Sequence, residues 1–247
     1  MIKFIIIFLI ICYIKYFFAY TDGYDLLEYM NYINQPFCEN IIYHETKNKE
    51  WCIQLRNNWV DIRDEYIEYC KYNKLNRYKN IDANQDYVDI GDKGWFVVFL
   101  KVYGSYTKLT SKFPKTYELI KKIPGCTLAM FSTVEAGKVI PVHSGPFNGV
   151  LRYHLCLITD KENPDNCYIV VNDIKYAWKE GNDILFDDFF SHYVVNNTNT
   201  TRVVLFLDIK KEFNNIFINL INTVFLYMAS ENVTKESIIK KTNSTLK

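Results

Sequence analysis

From residue 94 onward the apolar positions come in short runs, separated by turns built from Gly, Pro, Asn and Asp. The runs at 94–103, 127–134, 139–142, 150–158, 167–172, 183–186, 191–195 and 202–209 predict strands, and their regular spacing predicts an all-β barrel or jelly roll. Within 149–158 the alternation is strict. Leu151, Tyr153, Leu155 and Leu157 point one way, and Arg152, His154, Cys156 and Ile158 the other.

Upstream the period lengthens. Residues 24–33 and 50–74 predict helices; in the second, Trp51, Leu55, Trp59, Ile62, Tyr66 and Tyr69 recur at spacings of three and four, one apolar stripe. Its Arg56, Asp61, Arg63, Asp64, Glu65 and Glu68 read as a solvated face. The polar stretch 73–92, rich in Asn, Asp and Lys, reads as a loop before the core. Residues 115–123 read as a short helix stopped by Pro124 and Gly125. In 213–228, Phe213, Phe217, Leu220, Ile221, Val224 and Met228 share a helical stripe, which either packs outside the barrel or serves a membrane surface or a dimer. The polar tail beyond it reads as frayed.

The amino terminus follows neither pattern. Lys3 is a short basic region, 4–14 is an unbroken apolar run of 11 residues, and after Lys15 the residues 16–20 are apolar and aromatic again. This is either a signal peptide or, if Lys15 snorkels, a short signal anchor over 4–20. Both place the remainder in the lumen of the secretory pathway, the endoplasmic reticulum lumen or membrane. The chain thus divides into a leader (1–20), a helical region and loop (21–92), a β domain (93–210) and a helix with a polar tail (211–247).

At 247 residues one domain is the natural count. Aromatics reach 17%, so no single Tyr or Phe carries functional weight. The net charge of +1 gives no electrostatic case for nucleic acid. Beyond Cys12, six cysteines remain, with no C-x-x-C; they are open to disulfides, Cys156 with Cys167 among them, or to buried free thiols. Four sequons, at Asn196, Asn199, Asn232 and Asn243, suit a lumenal location.

Candidate chemistry sits on the strands. Arg152 and His154 share a sheet face that otherwise reads as core, and buried charge is costly unless an anion meets it. Of four histidines, His143, His154 and His192 lie in strand-rich segments; His192 follows His143 by 49 residues, and Arg202 follows His192 by ten. Singly, each histidine reads as an ordinary core or strand-end imidazole, and His44 as surface or packing. Together, two distant histidines with an Arg on the next strand suit a metal inside a small barrel that also holds a carboxylate-bearing ligand. Two histidines with open positions point to a non-haem Fe(II) oxygenase. There is no G-x-G-x-x-G, Walker loop, H-E-x-x-H or G-x-S-x-G.

A series of pieces then falls in order: Lys115-Thr116, IPG (123–125), AMFS (129–132), IPVHSGPFNGVLRYHL (140–155), WKEG (178–181), FDD (186–188), His192 and RVVLFLD (202–208). On these, residues 95–208 resemble the aspartyl/asparaginyl β-hydroxylase family of Fe(II)- and 2-oxoglutarate-dependent oxygenases. LRNNWVDIRDEY (55–66) extends the likeness towards stand-alone bacterial-type members, including lipid A acyl-chain hydroxylases. The resemblance implies a mainly β fold, a double-stranded β-helix (jelly-roll) core with N-terminal helices and a C-terminal helix packed on it. It implies His143 and His192 as the protein ligands of Fe(II), and Arg202 as the partner of the distal carboxylate of 2-oxoglutarate. Ser132, Arg152 and His154 match positions that hold the same co-substrate, and Asp188 a carboxylate that acts beside the metal without ligating it. Gly145 stands where most related oxygenases carry a carboxylate ligand, as is usual in this family. The chain departs from the family at Ser144, Tyr193 and Val195, which puts the substrate in doubt; Phe147 and Phe186 read as core. The expected activity is hydroxylation of Asp or Asn side chains of secretory-pathway proteins, with membrane association through 4–20. The alternatives are a lipid acyl-chain hydroxylase, or a binding module that has lost catalysis, which the intact Ser132, Arg152, His154 and Arg202 set argues against.

Overall fold

The computed structural model describes residues 23–229 and 233–245; the leader at 1–20 and the Asn232 sequon lie outside the described residues. In chain order the strands are β1 (Tyr43–His44), β2 (Asn76–Arg77), β3 (Trp95–Val102), β4 (Ser105–Tyr106), β5 (Cys126–Val134), β6 (Val139–His143), β7 (Val150–Ile158), β8 (Cys167–Val171), β9 (Ile174–Ala177), β10 (Asp183–Phe186), β11 (His192–Asn196) and β12 (Arg202–Lys210). The helices are α1 (Gly23–Asn34), α2 (Glu50–Asn57), α3 (Trp59–Tyr72), α4 (Tyr78–Ile81), α5 (Pro114–Ile120), α6 (Ile216–Ala229) and α7 (Val233–Asn243).

All strand pairs are antiparallel, in two sheets. The larger has the order β1-β10-β7-β12-β5-β3-β2, with β4 folded back on β3; the smaller is β6-β11-β8-β9. Strands distant in sequence are neighbours, and apolar side chains of both sheets meet in one core, the jelly-roll arrangement. The alternation in β7 decides where each side chain goes. Leu151, Tyr153, Leu155 and Leu157 pack with Leu55, Ile62 and Tyr66 of α2 and α3 on the outer face of the large sheet. Cys156 faces the other sheet, among Ile169, Val171 and Val194. Ile158 breaks the alternation and joins the helix side, because the pairing with β12 shifts register between Val203 and Val204.

Five sequence expectations change. The helix over 50–74 is two helices, broken at Asn58 (φ −110°, ψ 14°), whose Nδ2 donates to the Gln54 carbonyl at 2.8 Å; Asn side chains compete with the helical ladder in this way. Two residues of its charged face are structural: Arg56 pairs with the buried Asp183 at 2.6 Å, and Glu65 caps α5 by accepting from the Lys115 and Thr116 amides. The stretch 73–92 is a wall instead of a loop. Its Tyr78, Ile81 and Val88 are buried, and the fully buried Asp89 is held by Arg77 at 2.8 Å, by Lys138 and by the Trp95 amide. The tail forms α7, which docks because Ile238 reaches the core between the sheets. Of the stripe read on α6, Phe217 faces solvent, while Ile218, Asn222 and Phe225 are buried. That helix is apolar on both sides, so periodicity could not choose the inward one. The six described cysteines are free thiols.

Candidate metal and co-substrate site

β6 and β11 pair so that His143 and His192 lie directly opposite each other, with ring centroids 4.2 Å apart. Each is oriented from behind: the Nδ1 of His143 is 2.8 Å from the Pro141 carbonyl, and that of His192 is 2.8 Å from the Phe190 carbonyl. Donation from Nδ1 fixes the tautomer and leaves Nε2 as a lone-pair donor on both rings. Burial lowers both pKa values; with the neighbouring His143 and Arg152 adding to it, His192 falls to about 3. Both imidazoles are therefore neutral at ordinary pH, the form that binds metal. Among the described residues no group of three or more His, Cys, Asp or Glu converges on one point, so this pair is the donor set available.

The space beside Gly145 is filled by a carboxylate from elsewhere in the chain. A Cβ on Gly145 would lie 2.1 Å from Asp188 Oδ2, and the Gly145 amide donates to the Asp188 carbonyl at 2.6 Å. The Asp188 carboxylate thus fills the space that a side chain at 145 would take. It is 1% exposed and meets Arg152 Nη1 at 2.7 Å, a charge contact without hydrogen-bond alignment, so both of its oxygens lack a hydrogen-bond donor. Burial, with Asp208 and Asp187 adding to it, pushes the carboxyl up to about 7 against the pull of Arg152. Arg152 also holds Asp208 at 3.0 Å across the β7–β12 pair, and it lies over the Phe206 ring at 4.4 Å. Expected from the resemblance to hold co-substrate, its guanidinium is here occupied by two carboxylates.

Arg202 is the opposite case. Its side chain is 1% exposed, its Nε and Nη1 have no acceptor, and its guanidinium lies 5.1 Å from the centre of the Trp178 ring. Burial lowers its pKa, with the Cys167 and Cys156 thiols nearby. An orphaned guanidinium inside a protein costs several kcal/mol unless an anion completes it. His154, on the same inner face, also leaves both ring nitrogens unpaired, among Phe206 (4.8 Å), Phe186 (5.2 Å) and Trp178 (5.6 Å). Burial and the two arginines hold it well below its ordinary pKa. Ser132 Oγ accepts from Trp95 Nε1 at 2.9 Å, which leaves its own proton to donate inward. Trp95 is packed edge-on by Tyr78, so the 73–92 segment reaches the site through this contact. Two neutral imidazoles, an unpaired guanidinium and a free hydroxyl proton fit a divalent metal and a dicarboxylate.

Sequence reasoning missed the brace behind the site. The turn over 144–149, between His143 and β7, is held by asparagines of two helices. Asn31 of α1 donates to the Pro146 carbonyl and accepts from the Asn148 amide; Asn34 donates to Asn148 Oδ1, and Asn222 of α6 donates to the Gly149 carbonyl. Asn34, Asn148 and Asn222 are all buried. In an Asn-rich chain no local signal separates these from surface asparagines; the buried side of α6 is the one pointer.

The family profile described as aspartyl/asparaginyl beta-hydroxylase matches residues 56–212. Over 170 residues the chain is 36% identical to the ornithine lipid ester-linked acyl 2-hydroxylase of Rhizobium tropici, covering 68% of this chain and 60% of that protein. Over 172 residues it is 30% identical to the aspartyl/asparaginyl beta-hydroxylase of Homo sapiens, covering 67% of this chain and 22% of that one. The chain therefore spans less than two thirds of either relative's length. Among solved structures, a Pseudomonas putida prolyl-4-hydroxylase aligns with a TM-score of 0.42 at 13% identity, covering 62% of this chain and 88% of that one.

Proposed function

The chain belongs to the aspartyl/asparaginyl β-hydroxylase family, and from that premise we propose that it is an Fe(II)- and 2-oxoglutarate-dependent hydroxylase. The observation that carries this reading is the buried Arg202 guanidinium without an acceptor on the large sheet, with the neutral histidine pair on the smaller sheet that meets it in one core. His143 and His192 would hold the iron through Nε2, and Arg202 would take the distal carboxylate of 2-oxoglutarate as a charge-assisted pair. Ser132 would donate a hydrogen bond to the same co-substrate, and His154 would offer it a neutral ring edge. Arg152 keeps the Asp188 carboxylate in the space beside Gly145. Trp178, Phe186 and Phe206 exclude water from the enclosure. When bound, the iron and 2-oxoglutarate supply the oxidative decarboxylation that delivers oxygen to a C–H bond.

For the substrate, a lipid acyl chain is the class the observations favour. Identity is higher to the lipid hydroxylase than to the peptidyl enzyme, and that relative is matched over a larger share of its length. Aspartyl or asparaginyl side chains of secretory-pathway proteins are the second reading, favoured by the family's own description. The lumen of the secretory pathway is the location we assign, on the apolar leader. The test is conversion of 2-oxoglutarate to succinate by the purified protein with Fe(II), followed by product mass on a hydroxy-acyl lipid and on an Asp/Asn-containing peptide. His192→Ala is expected to abolish metal binding and turnover. Arg202→Ala is expected to raise the 2-oxoglutarate requirement by roughly two orders of magnitude, the cost of losing a buried charge-assisted pair. Turnover that survives His192→Ala refutes the metal assignment.

A further inference from the structure

His143 ends β6 and His192 opens β11, so each stands at the root of a turn: 144–149 after the first, 187–191 before the second. Directly after His192, β11 shifts register against β6, so the strand ladder alone does not hold that residue. The two turns share an anchor instead. Lys211, the residue after β12, is 4% exposed, and its amide donates to the Gly149 carbonyl at 3.0 Å, at the end of the first turn. Its ammonium reaches the second turn and donates to Asp187 Oδ2 at 2.5 Å; Asp187 is itself 3% exposed. The Cys38 thiol and the Phe213 ring, 5.8 Å away, lie against the same ammonium.

From Asp187 the link runs on to the histidine. Asp187 Oδ1 accepts from the Phe189 amide at 3.1 Å and its carbonyl from the Phe190 amide at 3.4 Å, which curls the turn. The Phe190 carbonyl so placed is the group that orients His192 through Nδ1. The next residue, Asp188, gives its carbonyl to the Gly145 amide, back on the first turn. Stability does not account for the ion pair. Taking two ions out of water costs about as much as their attraction returns, and apolar groups of similar volume hold a fold as well. An apolar pair lacks direction, whereas an ammonium meets a carboxylate at a defined distance and angle, so the second turn has one seat relative to the first.

On the reading of His143 and His192 as metal ligands, we propose that Lys211 and Asp187 are positioning residues for the metal site. Their buried ion pair locks the turn before His192 to the turn after His143, and so sets how the two Nε2 atoms face each other.

The test is Co(II) titration of the metal-free full chain, followed by the visible absorption of the bound ion, at a temperature where circular dichroism shows the protein folded. Lys211→Met combined with Asp187→Asn removes the pair, leaves no charge behind and keeps an oxygen for the Phe189 amide. Asp187→Ala is the second variant; a buried lysine without a partner sheds its proton, so it strands no charge either. Both are expected to bind Co(II) roughly tenfold or more weakly, the usual cost of losing a group that orients a metal ligand, and to shift its absorption bands. Ile62→Ala, in the core on the helix side of the large sheet, is expected to lower the melting temperature and leave the affinity unchanged. Native affinity and native bands in whichever of the two pair variants folds overturn the proposal, as does an equal loss of affinity in Ile62→Ala. If His192→Ala leaves Co(II) affinity unchanged, the ligand reading itself fails and the proposal falls with it.

Discussion

At the scale of single residues the site is governed by what is missing from Gly145. With no Cβ there, the Asp188 carboxylate from another strand connection packs against the backbone at 145, and the turn closes onto it through a backbone hydrogen bond. Gly145→Ala puts a methyl group where Asp188 Oδ2 now lies. It is expected to cost about 1–3 kcal/mol as an overpacked site and to weaken Fe(II) binding, read by thermal melting and by metal titration of the apoprotein; a fully tolerated methyl would show that Asp188 moves freely. His154 makes a second prediction. Burial, reinforced by Arg202 and Arg152, holds its folded pKa well below the usual value, whereas in the unfolded chain it titrates near about 6.5. The unfolded state therefore binds the extra proton first as pH falls. The stabilising contribution of neutral His154 is complete above about pH 6.5 and is lost progressively below it. The metal-free protein is expected to melt at steadily lower temperature from about pH 7 to about pH 4, and His154→Phe, which keeps the aromatic packing, to flatten that dependence. Parallel curves for the two proteins would count against the assignment.

At the scale of elements, the helices outside the jelly roll do more than cover it. α1 and α6 clamp the turn that joins His143 to β7, and α3 caps α5 through Glu65. Asn148→Ala removes the side-chain amide that donates to the Asn31 carbonyl and accepts from Asn34 Nδ2, keeps the backbone N–H to Asn31 Oδ1, and leaves Asn34 buried. The expected loss is about 1–3 kcal/mol, the cost of an unsatisfied buried amide. Metal affinity should fall at temperatures where circular dichroism is unchanged, and Asn148→Asp should restore only part of it; a loss of stability with unaltered metal affinity would make the brace purely structural. The elements also show where local sequence is weakest. The pattern located β7, β10 and β12 almost to the residue, because each is a short apolar run, buried on both faces and bounded by polar or turn residues. It missed β1, β9 and α7, which are short or polar and exist only because something packs on them. Asn196 illustrates the same limit: read as a sequon, it is fully buried, and its amide donates to the carbonyls of Val134, Glu135 and Thr200.

Among the described residues the large sheet separates two apolar cores, a third and smaller one lies under α1 and α6, and the candidate chemistry lies in the one between the sheets. Cys126, Cys156 and Cys167 belong to those interiors, where burial raises each thiol pKa and keeps it protonated. Stability in this protein rests on packing and buried polar pairs, with no crosslink among the described residues. Alkylation of the denatured but unreduced protein is expected to label Cys38, Cys52, Cys70, Cys126, Cys156 and Cys167 alike. A mass lower by two labels would reveal a disulfide.

By itself the sequence determined the mainly β class, the strands that carry the histidines, and the segregation of Arg152 and His154 from Leu151 and Tyr153, because period and alternation are properties of the chain alone. The motifs also carried the likeness to the hydroxylase family. Tertiary structure decided the rest. That His143 faces His192, that Arg152 meets two carboxylates while Arg202 is left without an acceptor, and which side of α6 turns inward all depend on pairings between residues tens of positions apart. Such pairings are set by how two sheets and their helices fill one volume, and no local pattern encodes them.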